Sequence, residues 1–201
     1  MTIKISEEIK DSPSHEHIEK IKEILLQLEY NDWLQNVLFT WQWWFLLTAT
    51  IMPWIIWWKL VDKARLLEIV TYGLWWILVA VTLDDIGVTL QLWDYPKQLM
   101  FLIHPLGPSD LTVIPVTYML LYQYTSRWTS FVIGSFVVAF VFAFVFEPLF
   151  IKFEMLKFHD TVIKWKHWYS FVLFGVIAIV IRKFHLLIVD YVKEDNNTIN
   201  K

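Results

Sequence analysis

"WQWWFLLTATIMPWIIWW", Trp41–Trp58, decides the fold of this chain. It holds 18 residues without a charge, enough for a helix to cross the ~30 Å hydrocarbon layer of a bilayer. Tryptophans crowd both ends, as amphipathic rings do at the two headgroup layers. The 201-residue chain agrees with this stretch: 57% of it is hydrophobic and 18% charged, against about 25% charged in an ordinary soluble domain.

Four further apolar runs follow outward from this one. Span one covers Trp33 or Trp41 to Leu60, with Pro53 inside it, and closes on the cations of "KLVDKAR". Span two covers about Leu66 to Trp93, span three Ser109 to Tyr124, span four Trp128 to Phe150 and span five Trp165 to Val192. "DYPKQLMFLIHPLGPSD" is rich in proline and too short to cross, so it reads as an interfacial or re-entrant segment. Before the spans, "SHEHIEKIKEILLQLEY" puts Ile18, Ile21, Leu25 and Leu28 on one face of a helix suited to a membrane surface or a partner helix. "NDW" at Asn31–Trp33 offers an N-cap for the helix after it.

The expected fold is therefore all-α, a transmembrane helix bundle of five spans with an N-terminal amphipathic helix. Residues 1–32 form a tail and that helix, with 1–12 disordered. Residues 33–192 form the five-helix domain, and 193–201 a disordered tail. No cleaved signal peptide is expected, because the first apolar run starts only near Trp33. Lys59, Lys63, Arg65, Arg127 and the residues after span five favour a cell-membrane topology with the N-terminus outside and the C-terminus cytoplasmic. Lys152, Lys157, Lys164 and Lys166 count against it. Arg182 and Lys183 are close enough to the end of span five to snorkel.

Composition also excludes. A net charge of −3 indicates no nucleic-acid surface. Without cysteine there are no disulfides, thiolate metal sites or cysteine nucleophiles. G-x-G-x-x-G, G-x-S-x-G and P-loop patterns are missing, and no lysine lies deep in a span for a retinal-type linkage. No cofactor is implied. The expected partners are the lipid bilayer and a second copy or another membrane protein.

The acids of the spans carry the remaining interest. A carboxylate costs roughly 2.5–3.5 kcal/mol at mid-membrane on insertion scales. Asp84 lies ~27 Å along span two and Glu147 ~25 Å along span four at 1.5 Å per residue. Span three runs the opposite way and starts beside Asp110. Asp84 or Asp85, Asp110 and Glu147 should thus share one layer near one membrane face, as ion- or proton-binding candidates. Neighbours on a helix point about 100° apart, so Asp85 lines up with Thr82 and Thr89, and Asp84 with Gly87 and Gln91. Gly87 would admit a neighbouring helix. N-capping alone would account for Asp110, and local hydrogen bonding beside Pro148 for Glu147. His104, His159 and His167 fall near the same side, but no pair has H-E-x-x-H spacing, which leaves any metal set undefined.

"LDDIGVTLQLWDYP", "SDLTVIPVTYMLLYQYTSRW", "FEPLF" and "WKHWYSF" resemble the landmarks of an uncharacterised family of small multi-pass membrane proteins of spore-forming Gram-positive bacteria. The resemblance spans about Trp41 to Phe184. It implies an integral membrane location and no established activity. Within it the doublet Asp84-Asp85 stands where the pattern has a single acid, which favours Asp84. Three functions stay open: proton or cation binding at the acid layer, a non-catalytic assembly subunit, and an intramembrane enzyme acting on a lipid or isoprenoid. The last requires a cavity that reaches the acids.

Overall fold

The computed structural model describes residues 15–102, 106–159 and 164–199. Residues 1–14 and His104 lie outside the described residues, so neither the expected disorder of 1–12 nor the position of His104 is addressed. Apart from one two-residue ribbon, the regular structure of the described residues is helical.

Helix α1 (His15–Asp32) buries none of its side chains. Ile18, Ile21, Leu25 and Leu28 form an exposed apolar face, and Lys20 pairs with Glu16 at 2.8 Å on the polar side. The expected cap at Asn31 is absent: the helix runs through it into a π turn (Trp33–Val37), where Asn36 Nδ2 donates to Asp32 Oδ1 at 2.7 Å. The cap belongs to Thr40, whose hydroxyl accepts from Trp43 N, and α2 (Trp41–Leu60) begins there. Asp62 then accepts from Ala64 N and turns the chain through Lys63–Arg65 into α3 (Leu66–Thr89).

After an irregular segment, α4 (Ile114–Tyr124) follows a π turn at Ser109–Val113. α5 (Trp128–Val141) runs into a second such turn at Phe142–Phe146 and then α6 (Glu147–Lys152). Both turns have the same origin in sequence. Pro115 and Pro148 lack the N–H that would bond the carbonyl four residues back, and their rings crowd it. The turn ahead of each proline widens, so that Ile114 N bonds Ser109 O and Glu147 N bonds Phe142 O. α7 (His167–Ile199) closes the fold. Its backbone stays helical to Ile199, through most of the residues read from sequence as a disordered tail.

Three helical stretches are long and apolar enough to cross a membrane: Lys63–Thr89, Trp128–Lys152 and His167–Val192. The other two expected spans do not meet that standard. Trp41–Leu60 has the length, but its six tryptophans lower its hydropathy. Ser109–Tyr124 is too short.

The core packs aromatic rings between α3 and α4. Trp76 stacks on Tyr118 at 3.8 Å between ring centres and Tyr72 on Tyr122 at 4.4 Å, with Ile69, Met119 and Phe131 buried around them. Gly73 makes this approach feasible, since a Cβ there would stand 2.4 Å from Met119 Sδ. The outward faces are apolar as well: Leu67, Leu74, Leu78, Ile133, Val180 and Leu187 are all more than half exposed. A face so apolar is costly in water and neutral in lipid.

A carboxyl cluster at one end of the bundle

Asp84 turns inward from the last part of α3 and is 7% exposed. Its Oδ1 accepts from Trp93 Nε1 at 2.7 Å and from the Tyr95 hydroxyl at 2.6 Å. Its Oδ2 accepts from Leu106 N at 3.1 Å. Three donors of this kind, one of them main chain, suit a charged carboxylate better than a neutral acid. Tyr95 and Leu106 come from the segment expected to lie at the interface, and Trp93 from the expected end of span two. That segment is held down by an antiparallel ribbon, β1 (Trp93–Asp94) with β2 (Lys157–Phe158), in which Trp93 pairs with Phe158. His159 N adds a bond to Leu92 O at 3.1 Å.

Gly87 lies one turn beyond Asp84 on the same face. The group it admits is the Trp93 indole rather than a neighbouring helix: a Cβ at Gly87 would stand 2.0 Å from Trp93 Cζ2. Glycine at this position is what allows the ring to lie flat enough to reach Asp84. The α3 terminus then closes with Leu92 N on Gly87 O at 2.9 Å, and Gln91 takes a left-handed φ of 52°.

Asp110 sits in the π turn ahead of α4 and is 5% exposed. It does not act as an N-cap. No side-chain cap bond forms there, and its own N–H donates to Leu106 O at 3.1 Å. Its carboxyl lies at hydrogen-bonding range of the Asp84 carboxyl, while Asp110 Oδ2 is buried with no partner. Carboxylates have no proton to donate, so a bond between the two requires one shared proton.

Glu147, just past the second π turn, meets His167 at the start of α7, with Oε2 2.6 Å from Nδ1. Ser170 lines the same cavity as Glu147, and Trp165 Nε1 donates to Ser170 Oγ at 2.9 Å. Burial, then the charges of Asp84, Asp110 and Glu147, hold the Tyr95 hydroxyl well above the usual tyrosine range, so it remains a donor at any working pH.

Asp84, Asp110 and Glu147 line one cavity of about 290 Å³. The rest of its wall is almost wholly apolar, with Phe45, Ala49, Val79, Phe142, Leu173 and Ile177 contributed by four helical stretches. Asp85 does not line it. That side chain is exposed on the outer side of α3, as are Thr82, whose hydroxyl bonds Leu78 O at 2.6 Å, and Thr89. Gln91 is also exposed and outside the cavity. Among the described residues no three metal-ligating side chains converge.

The other end of the bundle carries a polar cluster that the sequence reading placed only as snorkelling cations. Arg182 turns inward, 5% exposed, with Nη2 on Thr125 O at 2.9 Å and the guanidinium 4.2 Å over the Phe131 ring. It caps the C-terminus of α4. Beside it Tyr122 donates to Glu68, which Arg65 holds at 2.7 Å, and His185 is fully buried between the rings of Tyr72 and Tyr122.

Trp93, Tyr95 and Ser170 are the site residues that the sequence reading did not single out. Their signal was present: polar-headed aromatic and hydroxyl groups cluster in "LWDYP" and "WKHWYS" immediately beside the acid-bearing spans. Comparison with protein-family models, curated proteins and solved structures finds nothing that matches this chain.

Proposed function

We propose that this is an integral membrane protein whose internal cavity binds a lipophilic molecule, with the molecule's apolar part against the aromatic wall and its polar end at Asp84, Asp110 and Glu147. One observation carries the reading: a cavity of about 290 Å³, walled by apolar side chains, ends on three carboxyls. Its volume falls at the lower edge of small-molecule sites, ~300–1,000 Å³. Water gains little in it, since a buried water needs two to four polar partners. A hydrated ion path would need polar groups along the spans, and the wall away from the acids offers phenylalanine, leucine and isoleucine.

In this reading Trp41–Leu60 and Ser109–Tyr124 are also membrane-inserted, which restores five spans. The tryptophan-rich helix lies with its rings toward both interfaces, and the shorter one is shielded by its neighbours. The end bearing Lys59, Lys63, Arg65 and Arg127 faces the cytoplasm, and the carboxyl cluster lies toward the outer face.

The test uses a brominated ten-carbon alcohol, whose bromine quenches tryptophan fluorescence, with the full chain in neutral phosphatidylcholine nanodiscs. Trp76, Trp93 and Trp165 line the cavity, so binding there gives a saturable component above the linear quenching of lipid-facing rings. Ala49→Phe fills the wall and should remove that component while the helical spectrum persists. Equal saturable quenching in both proteins, or none in either, overturns the proposal.

A second reading, reversible proton binding by the Asp84–Asp110 pair, is favoured by the unpartnered Asp110 Oδ2. It requires pH-dependent proton uptake that Asp110→Asn abolishes.

A further inference from the structure

The carboxyl end of the cavity specifies the charge of what it holds. We infer that the ligand's polar end is an organic cation, an ammonium carried on an apolar chain. This rests on the cavity-binding reading above and adds to it the chemical class of the head.

The cavity wall contains three carboxyl-bearing residues and, among the described residues, no lysine, arginine or histidine. His167 meets Glu147 without forming part of the wall. The acids are not equally satisfied. Asp84 has both oxygens engaged by Trp93, Tyr95 and Leu106, and Glu147 is held by His167. Asp110 is the exception, with its Oδ2 buried and unpartnered in a residue 5% exposed. A buried acceptor with no donor is costly, and a cation with N–H groups is the partner that satisfies both its lone pairs and the single charge that the Asp84–Asp110 pair carries.

The rings around the acids point the same way. Trp93 and Tyr95 touch Asp84 directly. Trp165 packs on Trp93 at 4.7 Å between ring centres, and Phe158 packs on the His167 ring at 5.4 Å. All four line the cavity. Aromatic faces carry negative potential, and ammonium groups are held between them in cages of this composition. An anionic head would meet carboxyls and ring faces, with the Leu106 N–H already committed to Asp84. A neutral hydroxyl could donate one hydrogen bond but would leave the buried charge uncompensated. A bare metal ion is disfavoured, because no three His, Asp or Glu side chains converge among the described residues.

Three probes of equal chain length decide the matter in neutral phosphatidylcholine nanodiscs, where no surface charge concentrates the cation: 10-bromodecylammonium, 10-bromodecanol and 10-bromodecanoate. The ammonium should bind about tenfold or more tighter than the alcohol, and the decanoate should be weakest. Asp110→Asn keeps the shape and few bonds depend on it. It should cut ammonium affinity by about tenfold while leaving the alcohol within about threefold. Trp165→Leu, which removes one ring face, should lower the preference for ammonium over alcohol and serves if Asp110→Asn fails to fold. Saturable binding of the alcohol as tight as the ammonium overturns the cation inference and leaves cavity binding standing. Tighter binding of the decanoate overturns it too. No saturable binding of any probe overturns both.

Discussion

Gly87→Ala should break the site without touching a charged group. A Cβ at this position would stand 2.0 Å from Trp93 Cζ2 and 2.3 Å from Cη2, whereas carbon pairs rest at about 3.5–4.0 Å. The indole must therefore retreat by ~1.5 Å at least. Its 2.7 Å bond to Asp84 then stretches to ~3.1 Å, still within bonding range, if the ring moves sideways and to ~4.2 Å, beyond it, if the ring moves along the bond. Overpacking costs about 1–3 kcal/mol, and loss of a hydrogen bond to a charged group about 1.5–3 kcal/mol. The variant should lose about 1–3 kcal/mol if the bond survives and about 2.5–6 kcal/mol if it breaks, read from denaturation in mixed micelles by circular dichroism. The decisive measurement is the same substitution in a Trp93→Ala background. With the ring gone, alanine has no steric opponent and is the better helix former by about 0.5–1 kcal/mol, so the sign reverses. Equal destabilisation by Gly87→Ala in both backgrounds would refute the argument that Trp93 is what the glycine accommodates.

Other outcomes follow from the same geometry. Asp84→Asn replaces an acceptor of three hydrogen bonds with a group that accepts at only one atom, and should cost about 2–4 kcal/mol in micelle denaturation; Asp85→Asn, on the exposed side, should stay within about 0.5 kcal/mol. Arg182→Met leaves the Thr125 and Ser126 carbonyls uncapped and should destabilise by about 1.5–3 kcal/mol, while exposed Lys183→Met should not. The Tyr95 hydroxyl titrates higher in the folded protein than in the unfolded chain. Above pH ~10 the native state therefore binds the more protons, and stability must fall as pH rises. Tyr95→Phe should flatten the alkaline fall in thermal midpoint; an unchanged slope would remove Tyr95 from the account.

Much of the helical layout can be read from the chain because lipid simplifies the problem. A span must be apolar along its length, so runs such as "FVIGSFVVAFVFAFVF" declare themselves. Trp41–Leu60 is harder, since indole is apolar in body and polar at one edge, and its hydropathy understates its affinity for the interface. Depth alone places Asp84, Asp110 and Glu147 at one level, and the structure gives them one cavity. Periodicity separates Asp84 from Asp85 without saying which turns inward. That choice depends on Trp93 and Tyr95, which a ribbon between Trp93–Asp94 and Lys157–Phe158 holds in place. Pairing between two-residue segments so far apart leaves no periodic mark. The inward turn of Arg182 is equally hidden, because the carbonyls it satisfies appear only where α4 stops.

The two ends of the bundle differ in how they match buried charge, although Arg182 Nε and Nη1 at the far end also lack partners. At one end Glu68 is matched by Arg65 and Tyr122, and Arg182 rests on two carbonyls and the faces of Tyr122, Trp128 and Phe131. Charge there closes helix ends and connects α3, α4, α5 and α7, so removing it should cost stability and leave ligand binding to the cavity intact. At the other end three carboxyls share a cavity with no cation in its described wall. Packing alone would favour apolar residues at those positions, since buried ions are poor contributors to stability. Under the proposed cavity-binding reading, a ligand held there accounts for acids at those positions despite that cost. Substitutions at Asp110 should accordingly change binding far more than they change stability, and substitutions at Arg182 the reverse. Parallel losses of both properties at both ends would mean that the carboxyl cluster, too, serves only the fold.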